Sequence, residues 1–227
     1  EPEEAFRANR DGPAVLADCC ADLGVPLIHI STDYVFDGRK TGPYLETDPV
    51  NPINIYGMSK AEGEREIRNR LERHVIVRTS WLYGVHGRNF VKTMLKIGAE
   101  REEVRVVSDQ TGSPTCAGEF ASSLLAVAEQ MVAGNARWGT YHFCGEGSTS
   151  WHGFAEEIFR IAKPLFELRV GRVIPVSSGE FPVRSKRPAN SVLDCSAIRD
   201  CFGISPEPWR KTLENFIPLL ASFSKHS

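Results

Sequence analysis

Residues 31–60 read STDYVFDGRKTGPYLETDPVNPINIYGMSK and follow directly on a short apolar run, VPLIHI, at 25–30. They end in Tyr56-x-x-x-Lys60 just inside a helix whose start Asn51 and Pro52 predict, Asn as the N-cap and Pro in the first turn. A spacing of four puts Tyr56 and Lys60 on one helix face, about a turn apart. An ammonium beside a phenol favours the phenolate and lowers its pKa. A phenol tuned in this way can give a proton to a carbonyl oxygen near neutral pH. A lone YxxxK is more often a core tyrosine with a solvated lysine. Thr32 changes the odds, because it follows the apolar strand directly and its hydroxyl can meet the same carbonyl oxygen.

A Ser/Thr at a strand end followed by YxxxK on the next helix resembles the extended short-chain dehydrogenase/reductases. Within them the wording is most similar to the dTDP-4-dehydrorhamnose reductases. The phrases that carry the resemblance are HISTDYVFDG, NPINIYGMSKAEGE, RTSWLYG, NFVKTMLK, DQTGSPT, YHFCGEGSTSWHGFA and RPANSVLDCS, in that order from about Ala5 to Phe216. The resemblance implies hydride delivery from NADPH or NADH to C4 of a dTDP-4-keto-6-deoxy sugar, with dTDP-L-rhamnose as product. It implies Tyr56 as the proton donor, Thr32 orienting the carbonyl oxygen, and Lys60 tuning the tyrosine and bonding the nicotinamide ribose. Asn9, on the helix before the catalytic strand, supports the lysine. The resemblance places Trp81 over the sugar ring, with a core aromatic as the alternative, makes Asn89 either a helix cap or a sugar-nucleotide ligand, and places Arg187 near the diphosphate.

Working outward, the 227 residues suffice for one large domain or two small ones. With 27 basic and 29 acidic residues there is no electrostatic footprint for nucleic acid or an anionic membrane. No window approaches the roughly 18 apolar residues of a membrane helix, and a cytoplasmic protein is expected. Six cysteines (Cys19, Cys20, Cys116, Cys144, Cys195, Cys201) show neither C-x-x-C nor metal-ligand spacing. They read as reduced thiols.

Upstream, PEEAFRANRDGPAVLADCCADLG predicts a helix, with Phe6, Val15, Leu16, Cys19 and Leu23 at helical spacing and Gly24 as its stop. Gly12-Pro13 predicts a bend or a break near its middle. The apolar VPLIHI predicts a buried parallel strand in which His29 is a core histidine. The YxxxK helix extends to about Arg73, its charges Glu62, Glu64, Arg65, Glu66 and Arg68 on solvent faces. HVIVRT predicts the next strand. RNFVKTMLKIGAE predicts a helix with Phe90, Met94, Leu95 and Ile97 inward, and GEFASSLLAVAEQMVAG an amphipathic helix ending at Gly134.

After TYHF, prolines 164, 175, 182, 188, 206 and 208 mark shorter elements and a smaller appended domain. Arg184, Lys186 and Arg187 form the densest basic cluster there, and arginine offers a planar fork for phosphate oxygens. PEPWRKTLENFIPLL predicts a closing helix that packs Trp209, Leu213, Phe216 and Ile217. The expected architecture is α/β, a doubly wound parallel-sheet (Rossmann-like) core with a smaller C-terminal substrate-binding domain. Residues 1–80 and 108–145 are expected in the core, and 81–107 with 146–227 in the substrate region.

A dinucleotide fold opens with a strand, a glycine-rich turn and a helix, yet none of the 19 glycines falls in such a turn after a strand. Cys144-Gly145-Glu146-Gly147-Ser148 comes nearest, and a turn capped by Ser148 or Thr149 explains it better. The expectation is a core incomplete at its N-terminal side by roughly sixty residues, two βαβ units. Another sugar-nucleotide reductase or epimerase has the same Thr32–Tyr56–Lys60 set. A regulatory subunit similar to the methionine adenosyltransferase beta subunit is the alternative outside enzymes. The expected partner is the dTDP-sugar, and a homodimer is compatible with the resemblance.

Overall fold

The structure, a computed structural model, describes residues 2–135, 137–180 and 185–224. In chain order the helices are α1 (Pro2–Phe6), α2 (Gly12–Leu23), α3 (Ile55–Arg70), α4 (Phe90–Glu100), α5 (Ala117–Val132), α6 (Trp151–Ala162), α7 (Ser196–Phe202) and α8 (Trp209–Ser224). The strands are β1 (Leu27–Thr32), β2 (His74–Thr79), β3 (Leu82–Tyr83), β4 (Glu103–Val107), β5 (Thr111–Gly112), β6 (Thr115–Cys116), β7 (Gly139–His142), β8 (Thr149–Ser150), β9 (Arg172–Val176) and β10 (Asn190–Ser191). The chain forms two compact units: residues 1–80, 120–144 and 185–205 make one, and 81–119, 145–184 and 206–227 the other.

The first unit is built on a parallel sheet of order β1-β2-β7, in which Ile28 pairs with Val75 and Val77 with Tyr141. Its central strand is buried along its whole length, as a parallel strand covered on both faces requires. Ile76 packs with Ala17 of α2, Ile67 of α3 and Leu71 just past the end of α3. Val75 and Val77 point the other way, onto Phe120, Val127 and Met131 of α5 and Ile198 and Phe202 of α7. Alternate residues of one strand thus face opposite helix layers, which is the doubly wound α/β arrangement. β1 is an edge strand among the described residues, and Ile30 on it is 45% exposed; the burial expected of VPLIHI is not met, and only Ser31 and Thr32, which follow that run, are buried.

The second unit pairs β4 with β9 and β3 with β6, both parallel, and β5 with β8 antiparallel. Its core is aromatic: Tyr83, Phe154, Phe159, Trp209 and Phe216 pack with Val91, Met94 and Leu95 of α4 and Leu213 and Ile217 of α8.

Several local expectations change. The first helix does not break at Gly12-Pro13. It passes through a π-helical turn, Arg7–Asp11, in which Gly12 N–H bonds to Arg7 O. A proline has no N–H to give to a carbonyl four residues back, and the wider turn absorbs the missing bond. The apolar residues of α2 do not mark its buried face either: Val15, Leu16 and Leu23 are exposed, and Pro13 and Ala17 are buried. Helix α3 starts three residues later than Asn51-Pro52 predicts, because Asn54 is the residue whose side chain accepts from the Gly57 N–H. Asn51 instead bonds the Asp37 carboxylate and Val35 O. At the glycine-poor turn before α6 the capping side chain is Ser150, which accepts from Gly153 N–H, and not Ser148 or Thr149.

The compact units divide the chain differently from the expected boundaries at residues 108–119, 145 and 185–205. Residues 108–119 carry β5 and β6, whose partners β8 and β3 lie in the second unit. Residues 185–205 group with the first unit, where Asn190 donates to Lys40 O and Gly42 O, and Tyr44 N–H bonds to Val192 O. All six cysteines are unbridged.

Candidate active site at the end of β1

Thr32 is the last residue of β1 and is buried. Its hydroxyl caps the 3-10 turn Asp33–Val35 by accepting from Tyr34 N–H at 3.2 Å, and donates to Asp33 Oδ1 at 2.9 Å. The Asp33 carboxyl is itself buried. Burial raises it to about 6, opposed by hydrogen bonds from Ser191 and Thr32.

Tyr56 is the second residue of α3. Its ring meets Tyr34 edge to face, centroids 5.9 Å apart at 78°. The phenol stands above its ordinary value, raised first by loss of water around it and lowered by a hydrogen bond with Thr32, with the Asp33 charge raising it further. The lowering expected from Lys60 does not operate here, because the ammonium turns to β1. It donates to Ile30 O at 2.6 Å and lies 3.2 Å from His29 Nε2. Burial shifts Lys60 itself downward, opposed by Glu64.

Asn9 sits in the π turn and donates to Ser59 Oγ at 3.0 Å. Ser59 in turn donates to Tyr56 O at 2.9 Å. The amide therefore braces the residue beside Lys60 from behind the helix. Arg187 is exposed, in a loop tied to α3 where Asn54 donates to Lys186 O at 2.8 Å. Its charge acts on the Tyr34 phenol, which burial pushes up to about 12 and which Arg187 draws down. Arg184 lies outside the described residues.

The two candidates in the second unit have structural contacts of their own. Trp81 stacks on Trp151 at 3.5 Å and 8°, and takes a left-handed φ of 47°. A Cβ on Gly112 would come within 2.4 Å of its indole, so only glycine fits there. Asn89 is the N-cap of α4: it accepts from Lys92 N–H at 3.1 Å and donates to Gly84 O at 2.7 Å. These bonds meet its helix-cap reading.

Sequence reading missed four residues around this site. His29, Asp33 and Asn54 act through contacts that span the chain or the turn. Glu64, placed on a solvent face by its charged neighbours, is fully buried and forms a two-pronged ion pair with Arg78 at 2.7 and 2.8 Å. The one available signal was the serine and two glycines at 57, 59 and 63, small residues that leave room for close approach on that face.

A parallel doubly wound sheet that ends in a hydroxyl, with a Tyr-x-x-x-Lys helix packed on it, defines an extended short-chain dehydrogenase/reductase. A profile of the RmlD substrate binding domain matches residues 1–222. A dTDP-4-dehydrorhamnose reductase of Aggregatibacter actinomycetemcomitans is 43% identical over 218 residues, which are 95% of this chain and 74% of that protein. The crystal structure of a dTDP-4-dehydrorhamnose reductase from Clostridium acetobutylicum superposes with a TM-score of 0.89 at 39% identity, covering 96% of this chain and 74% of that one. That of the Bacillus anthracis dTDP-4-dehydrorhamnose reductase in complex with NADP gives 0.82 at 40%, covering 93% and 72%. The chain belongs to the RmlD substrate binding domain family.

Proposed function

We propose that this chain reduces the 4-keto group of dTDP-4-dehydro-L-rhamnose to the alcohol of dTDP-L-rhamnose, using NAD(P)H, as a cytosolic biosynthetic step. The observation that carries the proposal is the Thr32–Tyr56 hydroxyl pair at the end of β1, with Lys60 one turn along the same helix.

The donor set fits the nicotinamide end of such a cofactor. Two of the three Lys60 N–H bonds are committed to β1 within the described residues, and the ammonium suits the ribose hydroxyls. Tyr56 lies one turn before Lys60 on α3, and Asn9 braces the helix through Ser59. No glycine-rich phosphate turn occurs in the sequence, and the proposal assigns these residues no pyrophosphate contact. The cofactor, when bound, supplies the hydride that reaches C4.

Tyr56 gives its phenolic proton to the oxygen on C4 as the carbonyl becomes an alkoxide. The phenol is protonated at neutral pH and so has the proton to give; its upward shift weakens it as an acid, and the far more basic alkoxide forming on C4 drives the transfer. Thr32 holds the carbonyl oxygen near the phenol. To do so it donates its single hydroxyl proton to that oxygen, turning it from Asp33 Oδ1, which receives it in this structure. Arg187 takes the diphosphate through its guanidinium, Trp81 lies against the sugar, and Asn89 acts by capping the helix beside it.

The test is Tyr56→Phe in the intact protein, assayed by NADPH oxidation with the dTDP-4-keto-6-deoxy sugar. Loss of the general acid should lower kcat about 10²-fold or more, with nucleotide-sugar binding by calorimetry retained. Near-normal turnover of the variant would overturn the reading.

A further inference from the structure

His29 interrupts the apolar run of β1, three residues before Thr32. Its ring is partly buried and its Nε2 lies 3.2 Å from Lys60 Nζ, which also donates to the neighbouring Ile30 O at 2.6 Å. A lysine ammonium carries three protons and no lone pair. A contact of this length therefore needs the lone pair on Nε2 and the ring proton on Nδ1. The charged groups facing the ring are Lys60 and Glu64 from α3, with Arg78 of β2 bonded to Glu64. Burial and the Lys60 charge hold the imidazole neutral, down to about 4.

Lysine has a flexible four-carbon stem, and a single acceptor leaves its head free to swing. Two acceptors on consecutive residues of one strand, the Ile30 carbonyl and the His29 ring, remove that freedom. They hold the ammonium at the end of the strand that carries Thr32. We propose that His29 is a positioning residue for Lys60: as a neutral Nδ1–H imidazole it accepts from the ammonium and fixes the direction of the remaining N–H bond. This rests on reading Lys60 as the residue that holds the nicotinamide ribose, and it says what sets that residue's aim. His29 is an acceptor here and gives no proton to the reaction.

The decisive measurement needs no turnover. Nitrogen-15 NMR of the intact protein near pH 7, with the His29 signal assigned by its loss in His29→Gln, should show Nδ1 protonated and Nε2 bare. An Nε2–H tautomer, or a charged ring, cannot accept from an ammonium and would overturn the proposal. It would leave the reductase reading untouched, just as a fully active Tyr56→Phe would sink that reading without moving the tautomer. A second pair of variants separates positioning from packing. His29→Leu fills the site without an acceptor, and losing a charge-assisted bond should raise the KM for NADPH about tenfold. His29→Gln retains an acceptor at that end of the side chain and should keep the KM within about threefold. Equal KM values for His29→Leu and the unaltered protein would overturn it.

Discussion

Arg187 has its side chain in solvent while the residue before it is tied to the N-cap of α3. Asn54 does both jobs: its Oδ1 accepts from Gly57 N–H at 2.8 Å and its Nδ2 donates to Lys186 O. One buried amide thus sets the start of α3 and the position of the Lys186–Arg187 loop. If Arg187 takes the diphosphate, Arg187→Ala forfeits a charge-assisted contact of roughly 1.5–3 kcal/mol. Affinity for the dTDP-sugar should fall about tenfold or more, with NADPH affinity hardly changed. Calorimetry showing an unaltered nucleotide-sugar affinity would return Arg187 to the role of a solvated loop residue.

Helix α3 depends on the glycines that space it from its neighbours. A Cβ on Gly57 would lie 2.0 Å from Tyr34 O, and one on Gly63 would lie 2.0 Å from Asn9 O. Both obstacles are backbone and cannot swing aside. In an unobstructed helix, alanine for glycine gains about 1 kcal/mol. Here overpacking of about 1–3 kcal/mol opposes it. Gly57→Ala and Gly63→Ala should each lower the unfolding free energy in urea, whereas Gly118→Ala on α5, with nothing within 4 Å of its Cβ position, should leave it unchanged or raise it. A Gly57→Ala protein as stable as the parent would show that α3 does not bear on the Tyr34 turn as described.

At the scale of the whole molecule, acid should unfold this protein through a few buried groups. His142 and His29 are held neutral, down to about 3 and about 4 against an ordinary 6.5, chiefly by burial. Below 6.5 the unfolded chain binds two protons that the folded protein refuses, and stability falls with pH. Asp33, raised by burial to about 6, opposes this: between about 6 and 3.8 the folded state binds the extra proton. The net excess near pH 5 is about one proton on the unfolded side, a loss of about 1.4 kcal/mol per pH unit. Glu64 is lowered to about 2 from 4.5 by Arg78, whose hydrogen bonds and charge outweigh the cost of burial. Its contribution, about 3 kcal/mol, is complete above 4.5 and is lost as pH falls through about 2. Urea unfolding at pH 6.5, 5.5 and 4.5 should show the decline, and a flat profile would contradict it. Glu64→Gln, which strands Arg78, should lose about 3–5 kcal/mol at pH 7.

The sequence by itself determined the α/β class, most element positions and the Thr32, Tyr56 and Lys60 set. These depend on short-range patterns: a continuous apolar run for β2, helical spacing for α4 and α8, and a one-turn interval on α3. The start of α3 was misplaced by three residues, because Asn51 and Asn54 are equally good caps locally. Only tertiary packing decides which amide turns to the helix, through Asp37 for one and Lys186 for the other. Glu64 looked solvated for the same reason. Its partner Arg78 is fourteen residues away on β2, and no local period reveals that an ion pair will be enclosed between helix and sheet. The direction of the Lys60 ammonium was likewise beyond local reading. Spacing places it near Tyr56, but the acceptors that aim it belong to another strand, and only the packed fold brings that strand within 3.2 Å.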